Sequence, residues 1–318
     1  MRQRTGYERL SSPVQTPTTG RGDLPATETV SRRYQDLDRW PATDALLAMW
    51  EGQLSAVAAV QPALPAIAEA AEAALPRLAQ GGRLVYAGAG TSGRIGVQDG
   101  AELPPTFDWP EDRLVLLMAG GTRAFTQAVE NAEDDRDAAR SDVAAHAISA
   151  QDVVIGIAAS GSTPYTTTVI EAAAERGALT IGIANSPGGS LLAAAAHPIL
   201  VSTGAEAIAG STRMKAGTAQ KVVLNLFSTL VMLRLGRVHR GLMVDMNARN
   251  AKLRTRAVRM LRELTGRDDT AIAAALEAAG GRVKTAILLL RGLDRAAADA
   301  LLARHGGHLH AALTELAP

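Results

Sequence analysis

Hydrophobic positions follow two regimes along this chain. Over residues 44–78 they recur at helical spacing, interrupted by Pro62, Pro65 and Pro76, which predicts two helices with a break near the first proline pair. From residue 83 the apolar positions gather into short unbroken runs at 83–90, 113–121, 152–160, 179–186 and 197–203. Most runs are followed by a segment of helical pattern, clearest at 124–140 and 164–176. Such alternation predicts an α/β fold with a parallel sheet covered by helices on both faces. A long apolar helix follows over 216–235, then a basic amphipathic one over 247–265. The tail carries a weak internal repeat, in which 274–287 resembles 300–313. Each copy reads as a helix, a Gly-Gly stop and another helix, hence a small helical module that packs on the main domain or on a partner subunit.

The chemistry gathers at the ends of the predicted strands, where parallel sheets bind ligands. The first ends in Gly88-Ala-Gly-Thr91-Ser92-Gly93, followed by Arg94 at a helix start. Gly88, Gly90 and Gly93 satisfy the dinucleotide pattern GxGxxG, a weak signal alone. The second run ends in Met118-Ala-Gly-Gly-Thr122 and lacks the acidic residue that a dinucleotide site uses for ribose, so an oxidoreductase is disfavoured. The third ends in Ser160-Gly161-Ser162-Thr163-Pro164. In either loop alone the hydroxyls read equally well as helix caps. Two such loops in one sheet favour a phosphomonoester, held by helix-start N–H groups and hydroxyls.

Composition narrows the classes. Charged residues are 20% of the chain and the net charge is +1, which gives no reason to expect nucleic acid or an anionic membrane as partner. Cysteine is absent, so disulfides, thiolate metal sites and a cysteine nucleophile are excluded. The six histidines form no HExxH-type ligand set, and His305, His308 and His310 read as a solvated helix end, so neither metal nor cofactor is expected. No apolar run of about 18 residues free of charge and glycine is evident, so no membrane span is expected. Residues 1–26 are rich in Arg, Thr, Pro and Gly and lack a hydrophobic signal core, which makes them a disordered lead-in and the cytoplasm the default compartment. The expected organisation is a flexible lead-in over 1–40, a main domain over 41–262 and a helical module over 263–318.

The two loops and the sheet resemble the sugar isomerase (SIS) domain, a phosphosugar-binding fold. Four blocks narrow the resemblance to the N-acetylmuramic acid 6-phosphate etherases: Gly88 to Thr106, containing GAGTSGRIGVQDGAELPPT; Gly156 to Tyr165, GIAASGSTPY; Gly210 to Lys221, GSTRMKAGTAQK; and Gly241 to Met246, GLMVDM. The similarity runs from about residue 42 to the C-terminus. It implies a three-layer α/β/α SIS-type fold with a mainly parallel five-stranded sheet, followed by a helical module resembling ubiquitin-associated domains. Departures are Ser162, where the family usually has Arg, Ala209 in place of a bulkier residue, and Ser31-Arg-Arg-Tyr34 after a retained Thr27-Glu28.

The resemblance also implies a reaction: elimination of D-lactate from the open-chain 6-phosphosugar, then re-addition of water, in the recycling of cell-wall amino sugars. That chemistry calls for one base and one acid. Glu102 matches the family's proton donor, and burial would keep it protonated near neutrality. It stands alone in an uncharged loop before Pro104-Pro105. Glu133 matches the base, although among Glu130, Asp134 and Asp135 its chemistry alone reads as a solvated helix face. Arg94 lies where a cation is unfavourable unless it faces an anion. Arg213 and Lys215 fall in the third block and are candidates to line the crevice. SIS proteins often place sites at subunit interfaces, which implies a homodimer. Two other readings of the fold are an aldose–ketose isomerase and a non-catalytic sugar-phosphate sensor; the glutamate pair argues against the sensor.

Overall fold

The computed structural model describes residues 25–248 and 250–316, so the lead-in expected over 1–26 lies almost wholly outside the described residues. Residues 25–40, the end of the segment read as leading into the main domain, are described. Ala26–Glu28, Arg32–Tyr34 and Leu37–Arg39 form three short 3-10 turns, and Thr27 is fully buried. The Gly210 N–H donates to the Thr27 carbonyl at 2.9 Å, which ties this segment to the main domain.

The helical pattern over 44–78 resolves into α1 (Ala42–Ala58) and α2 (Leu64–Ala79), with the break where the proline pair predicted it. Then come β1 (Leu84–Gly88), α3 (Gly90–Phe107), β2 (Leu114–Met118), α4 (Arg136–Ala145), β3 (Val153–Ala158), α5 (Pro164–Glu175), β4 (Leu179–Ala184), α6 (Ser190–Ala194), β5 (His197–Leu200) and α7 (Lys215–Arg234). The five strands form one parallel sheet in the order β2-β1-β3-β4-β5. β1, β3 and β4 are buried along their whole length, which is why their sequences are apolar without alternation. Successive side chains still divide between the two faces. Leu84, Tyr86, Ile155 and Ile157 pack with α2 and α7, whereas Val85, Ala87, Val154 and Ala158 pack with α4 and α5. The result is three layers.

Beyond α7 lie a two-residue hairpin, β6 (Val238–His239) and β7 (Leu242–Met243), and five helices: α8 (Ala251–Thr265), α9 (Asp269–Ala278), α10 (Val283–Leu290), α11 (Arg295–Arg304) and α12 (Leu309–Glu315). A separate core joins Val244 and Met246 to Met260, Leu261, Leu276, Ile287 and Leu309. The boundary expected between 262 and 263 therefore falls inside α8, whose apolar stripe is buried with the C-terminal helices. Asp245 anchors this unit to the main domain: it pairs with Lys284 Nζ at 3.0 Å and with Arg237 at 3.3 Å, and Arg237 also donates to the Phe107 carbonyl.

One of the predicted helices needs correction. The helix predicted over 124–140 begins only at Arg136, because Gly120, Gly121 and Asn131 take positive φ and Asp135 caps the helix, accepting from the Ala138 N–H at 2.8 Å. Two stretches, Ala42–Ala79 and Lys215–Arg234, are long and apolar enough to cross a membrane by length and composition alone. The first is two helices, and the second is a core helix whose Val223, Leu224, Phe227 and Val231 are buried against the sheet.

Candidate active site

The site begins with close approach of backbone. A Cβ on Gly88 would lie 2.7 Å from Gly93 Cα, and one on Gly93 would lie 2.3 Å from Met118 Sδ. Only glycine at both positions lets α3 start directly above the end of β1 and beside the end of β2. Gly161, at φ +73°, makes the equivalent turn after β3. The registers Gly88↔Ile157 and Ala158↔Ala184 set the strand ends side by side. The N-termini of α3 and α5 consequently converge.

A crevice of about 370 Å³ lies over them, walled by Gly90, Thr91, Ser92, Ser160, Ser162 and Thr163. Neither helix start is capped by a side chain of its own. The alternative in which the serines and threonines serve as helix caps is thereby removed. The first N–H groups of α3 and α5 stay available, and both helix dipoles direct their positive ends at the crevice. Ser160 Oγ instead accepts from the Ser162 N–H at 3.2 Å, which shapes its loop. Gly93 and Gly161 are buried beneath the wall and act through the backbone.

Glu133 sits on the rim, in the single 3-10 turn Ala132–Asp134, not on a helix, and it is exposed. Arg94 determines where that segment runs. Its guanidinium donates to the carbonyls of Ala124, Phe125 and Gln127 at 3.0, 3.3 and 3.0 Å, so backbone oxygens occupy the place expected for a bound anion.

Glu102 is not in an uncharged loop. It lies on α3, which runs on through Pro104 and Pro105, twelve residues past Gly90 and therefore about 18 Å along the axis. It is exposed, and it shares a separate pocket of about 40 Å³ with Gln98, Asp99, Lys221 and Asn225. Within one chain, Glu102 and Glu133 do not share a crevice, and the burial expected of Glu102 is not supplied.

Arg213 is exposed and lies outside the lining of the crevice. Lys215 opens α7, where the buried Glu206 carboxylate accepts from the N–H groups of Lys215 and Ala216, each at 2.9 Å. The Lys215 Nζ donates to the Ala205 carbonyl at 3.0 Å. Burial holds its pKa below the ordinary lysine value, against the opposing pull of Glu206. From this block it is Gly210 and Thr212 that reach the crevice, joined by Glu28 and Asp134. The sequence offered little to single these out, because Glu28 stands in the segment read as a lead-in and Asp134 in a charged run.

The sheet and its paired glycine-serine loops define a phosphosugar-type SIS domain. Residues 66–174 match the glucokinase regulatory protein N-terminal SIS domain, and residues 122–230 match the SIS domain. A phosphoheptose isomerase structure from Francisella tularensis is similar at 18% identity and a TM-score of 0.45, covering 61% of this chain and all of that one. Far higher similarity exists to N-acetylmuramic acid 6-phosphate etherases: 52% identity to that of Deinococcus radiodurans (91% of this chain, 95% of the relative) and 48% to that of Streptomyces coelicolor (90% and 93%). The chain belongs to the N-acetylmuramic acid 6-phosphate etherase family.

Proposed function

We propose that this protein is a lyase that cleaves the D-lactyl ether of N-acetylmuramic acid 6-phosphate, giving N-acetylglucosamine 6-phosphate and D-lactate. Family membership supports the reaction. The observation that carries the substrate class is the convergence of two uncapped helix N-termini on one crevice with a carboxylate at its rim. The phosphate takes the N–H groups of the α3 and α5 starts together with the hydroxyls of Thr91, Ser92, Ser160, Ser162 and Thr163. Gly93 and Gly161 permit the close approach.

In the open-chain sugar the C2 proton lies alpha to the aldehyde. Glu133 removes it, the electron pair forms a C2–C3 double bond, and the C3–O bond breaks. Glu102 gives its proton to the departing lactate oxygen. Water then adds at C3 while a proton returns to C2, so the elements of water are gained and lactate is lost. Groups so placed contribute about 10²–10⁴-fold each.

The separation of the two glutamates within one chain supports a homodimer in which Glu102 of the partner subunit completes each crevice. α1 supplies a face for such contact: Leu46, Leu47, Trp50 and Leu54 are more than half exposed on it, an apolar patch of the kind that marks an interface. In that dimer Arg213 and Lys215 act near the seam, Lys215 by holding the Ala205 turn and Arg213 as an exposed cation, while Arg94 orients the Glu133 loop. The protein works as a soluble cytoplasmic enzyme of amino-sugar recycling, with residues 1–40 leading into the SIS domain and the C-terminal helices forming a packing module.

Incubation with N-acetylmuramic acid 6-phosphate in ¹⁸O- and deuterium-labelled water tests the reaction. The product should carry deuterium at C2 and ¹⁸O at the C3 hydroxyl, with free D-lactate. An intact ether after long incubation overturns the assignment.

A further inference from the structure

We propose that Glu28 is a substrate-contacting residue that holds sugar hydroxyl groups at the end of the crevice away from the phosphate. The proposal deepens the phosphosugar reading above and rests on it. Glu28 lines the same crevice as Ser92, Ser160 and Glu133, although it comes from the far N-terminal side of the main domain. Its backbone is fixed. Its N–H donates to the Pro25 carbonyl at 2.8 Å, the neighbouring Thr27 is fully buried, and the Thr27 carbonyl accepts from Gly210 N–H at 2.9 Å. The carboxylate is seated against the Gly210 backbone so closely that a Cβ there would come within 2.8 Å of Oε2. Gly210, at φ +75°, thus leaves room for Glu28 as well as turning the chain.

Among the described residues the Glu28 carboxylate makes no hydrogen bond and no ion pair, although its position is built from both sides. A carboxylate accepts hydrogen bonds and donates none, so it is suited to hydroxyl groups. Charge determines which part of the ligand it faces. Among the described lining residues there is no Lys or Arg, and Glu133 and Asp134 add two further carboxylates. A phosphate dianion is repelled from that side and drawn to the helix N-termini. Glu28 therefore meets the sugar.

The test compares the full chain with Glu28→Gln, measuring calorimetric binding of inorganic phosphate and of N-acetylglucosamine 6-phosphate, with thermal unfolding as a control on the fold. Glutamine preserves size but replaces one acceptor with a donor and removes the charge. Sugar-phosphate affinity should fall about tenfold or more, as for loss of hydrogen bonds to a charged group, while phosphate affinity stays within about twofold. Equal weakening of both ligands, unchanged binding of both, or a wild type that prefers neither ligand would each overturn the role. A wild type that binds the sugar phosphate selectively through Glu28 but leaves the lactyl ether intact would instead sink the etherase reading alone.

Discussion

Tyr86 on β1 donates its phenolic O–H to Oδ2 of Asp99 on α3 at 2.9 Å, deep in the layer between sheet and helices. The other oxygen, Oδ1, accepts from Asn225 Nδ2 at 2.7 Å and from Ser228 Oγ at 3.3 Å, both on α7. One carboxylate thus joins a strand to two helices, one turn before Glu102. Asp99→Ala leaves the buried Tyr86 and Ser228 hydroxyls and the half-buried Asn225 amide without this acceptor and should cost about 2–4 kcal/mol of stability in urea unfolding. Asp99→Asn should cost less, since its amide can still accept from one neighbour and donate to the tyrosine oxygen.

The same residue carries a pH signature. Burial raises the Asp99 pKa above its ordinary 3.8, with the hydrogen bonds from Asn225, Tyr86 and Ser228 acting in opposition. The native state therefore binds the proton more tightly than the unfolded chain does. Its contribution is fully present below the unfolded value and is lost as pH rises through the folded one. Relative to Asp99→Asn, the wild type should lose stability as pH climbs from below about 3.8, and a gap independent of pH would refute this.

Asp152 should behave in the opposite sense. It is almost wholly buried, and burial pushes it upward, but Arg83 and the Ser149 N–H outweigh that and hold it below 3.8. The Arg83 guanidinium meets it with two hydrogen bonds, at 2.9 and 2.7 Å, and the Arg83 N–H adds a third at 3.3 Å. The stabilisation is present above the unfolded pKa and disappears as pH falls through the depressed folded one. Asp152→Asn should cost about 2–4 kcal/mol at neutral pH and flatten the acid limb of the stability curve.

The shared-site dimer makes a sharp prediction. Glu102→Gln and Glu133→Gln should each lose about 10²–10⁴-fold in kcat. Co-expressed in equal amounts, the two variants should recover about a quarter of wild-type activity, because half the dimers are mixed and each mixed dimer has one intact site. No recovery would mean that each chain uses its own pair. Leu47→Glu combined with Leu54→Glu should yield monomers in sedimentation velocity and lose activity with them.

Ser162 is exposed at the edge of a crevice whose described lining has no cation. Ser162→Arg should lower KM for the phosphosugar severalfold at low ionic strength. The gain should shrink in about 0.5 M salt, where exposed charges are screened within a few ångströms. An unchanged KM at both ionic strengths would show that position 162 faces away from the phosphate.

The sequence by itself determined the layer architecture and the two glycine-serine loops at the strand ends. A strand buried on both faces must be apolar throughout, a covering helix needs only one apolar stripe, and glycine is required wherever backbone meets backbone, as at Gly88 and Gly93. These are local demands, so they are written locally. The four motif blocks likewise pointed to the family and to Glu102 and Glu133. Tertiary structure alone decided that those two glutamates lie apart within one chain, that Arg94 is spent on three carbonyls, and that Lys215 is held at the start of α7. It also brought Glu28 and Gly210 together from opposite ends of the domain. Such relationships depend on strand order and on how segments remote in sequence pack, and no periodicity or spacing within a single segment encodes them.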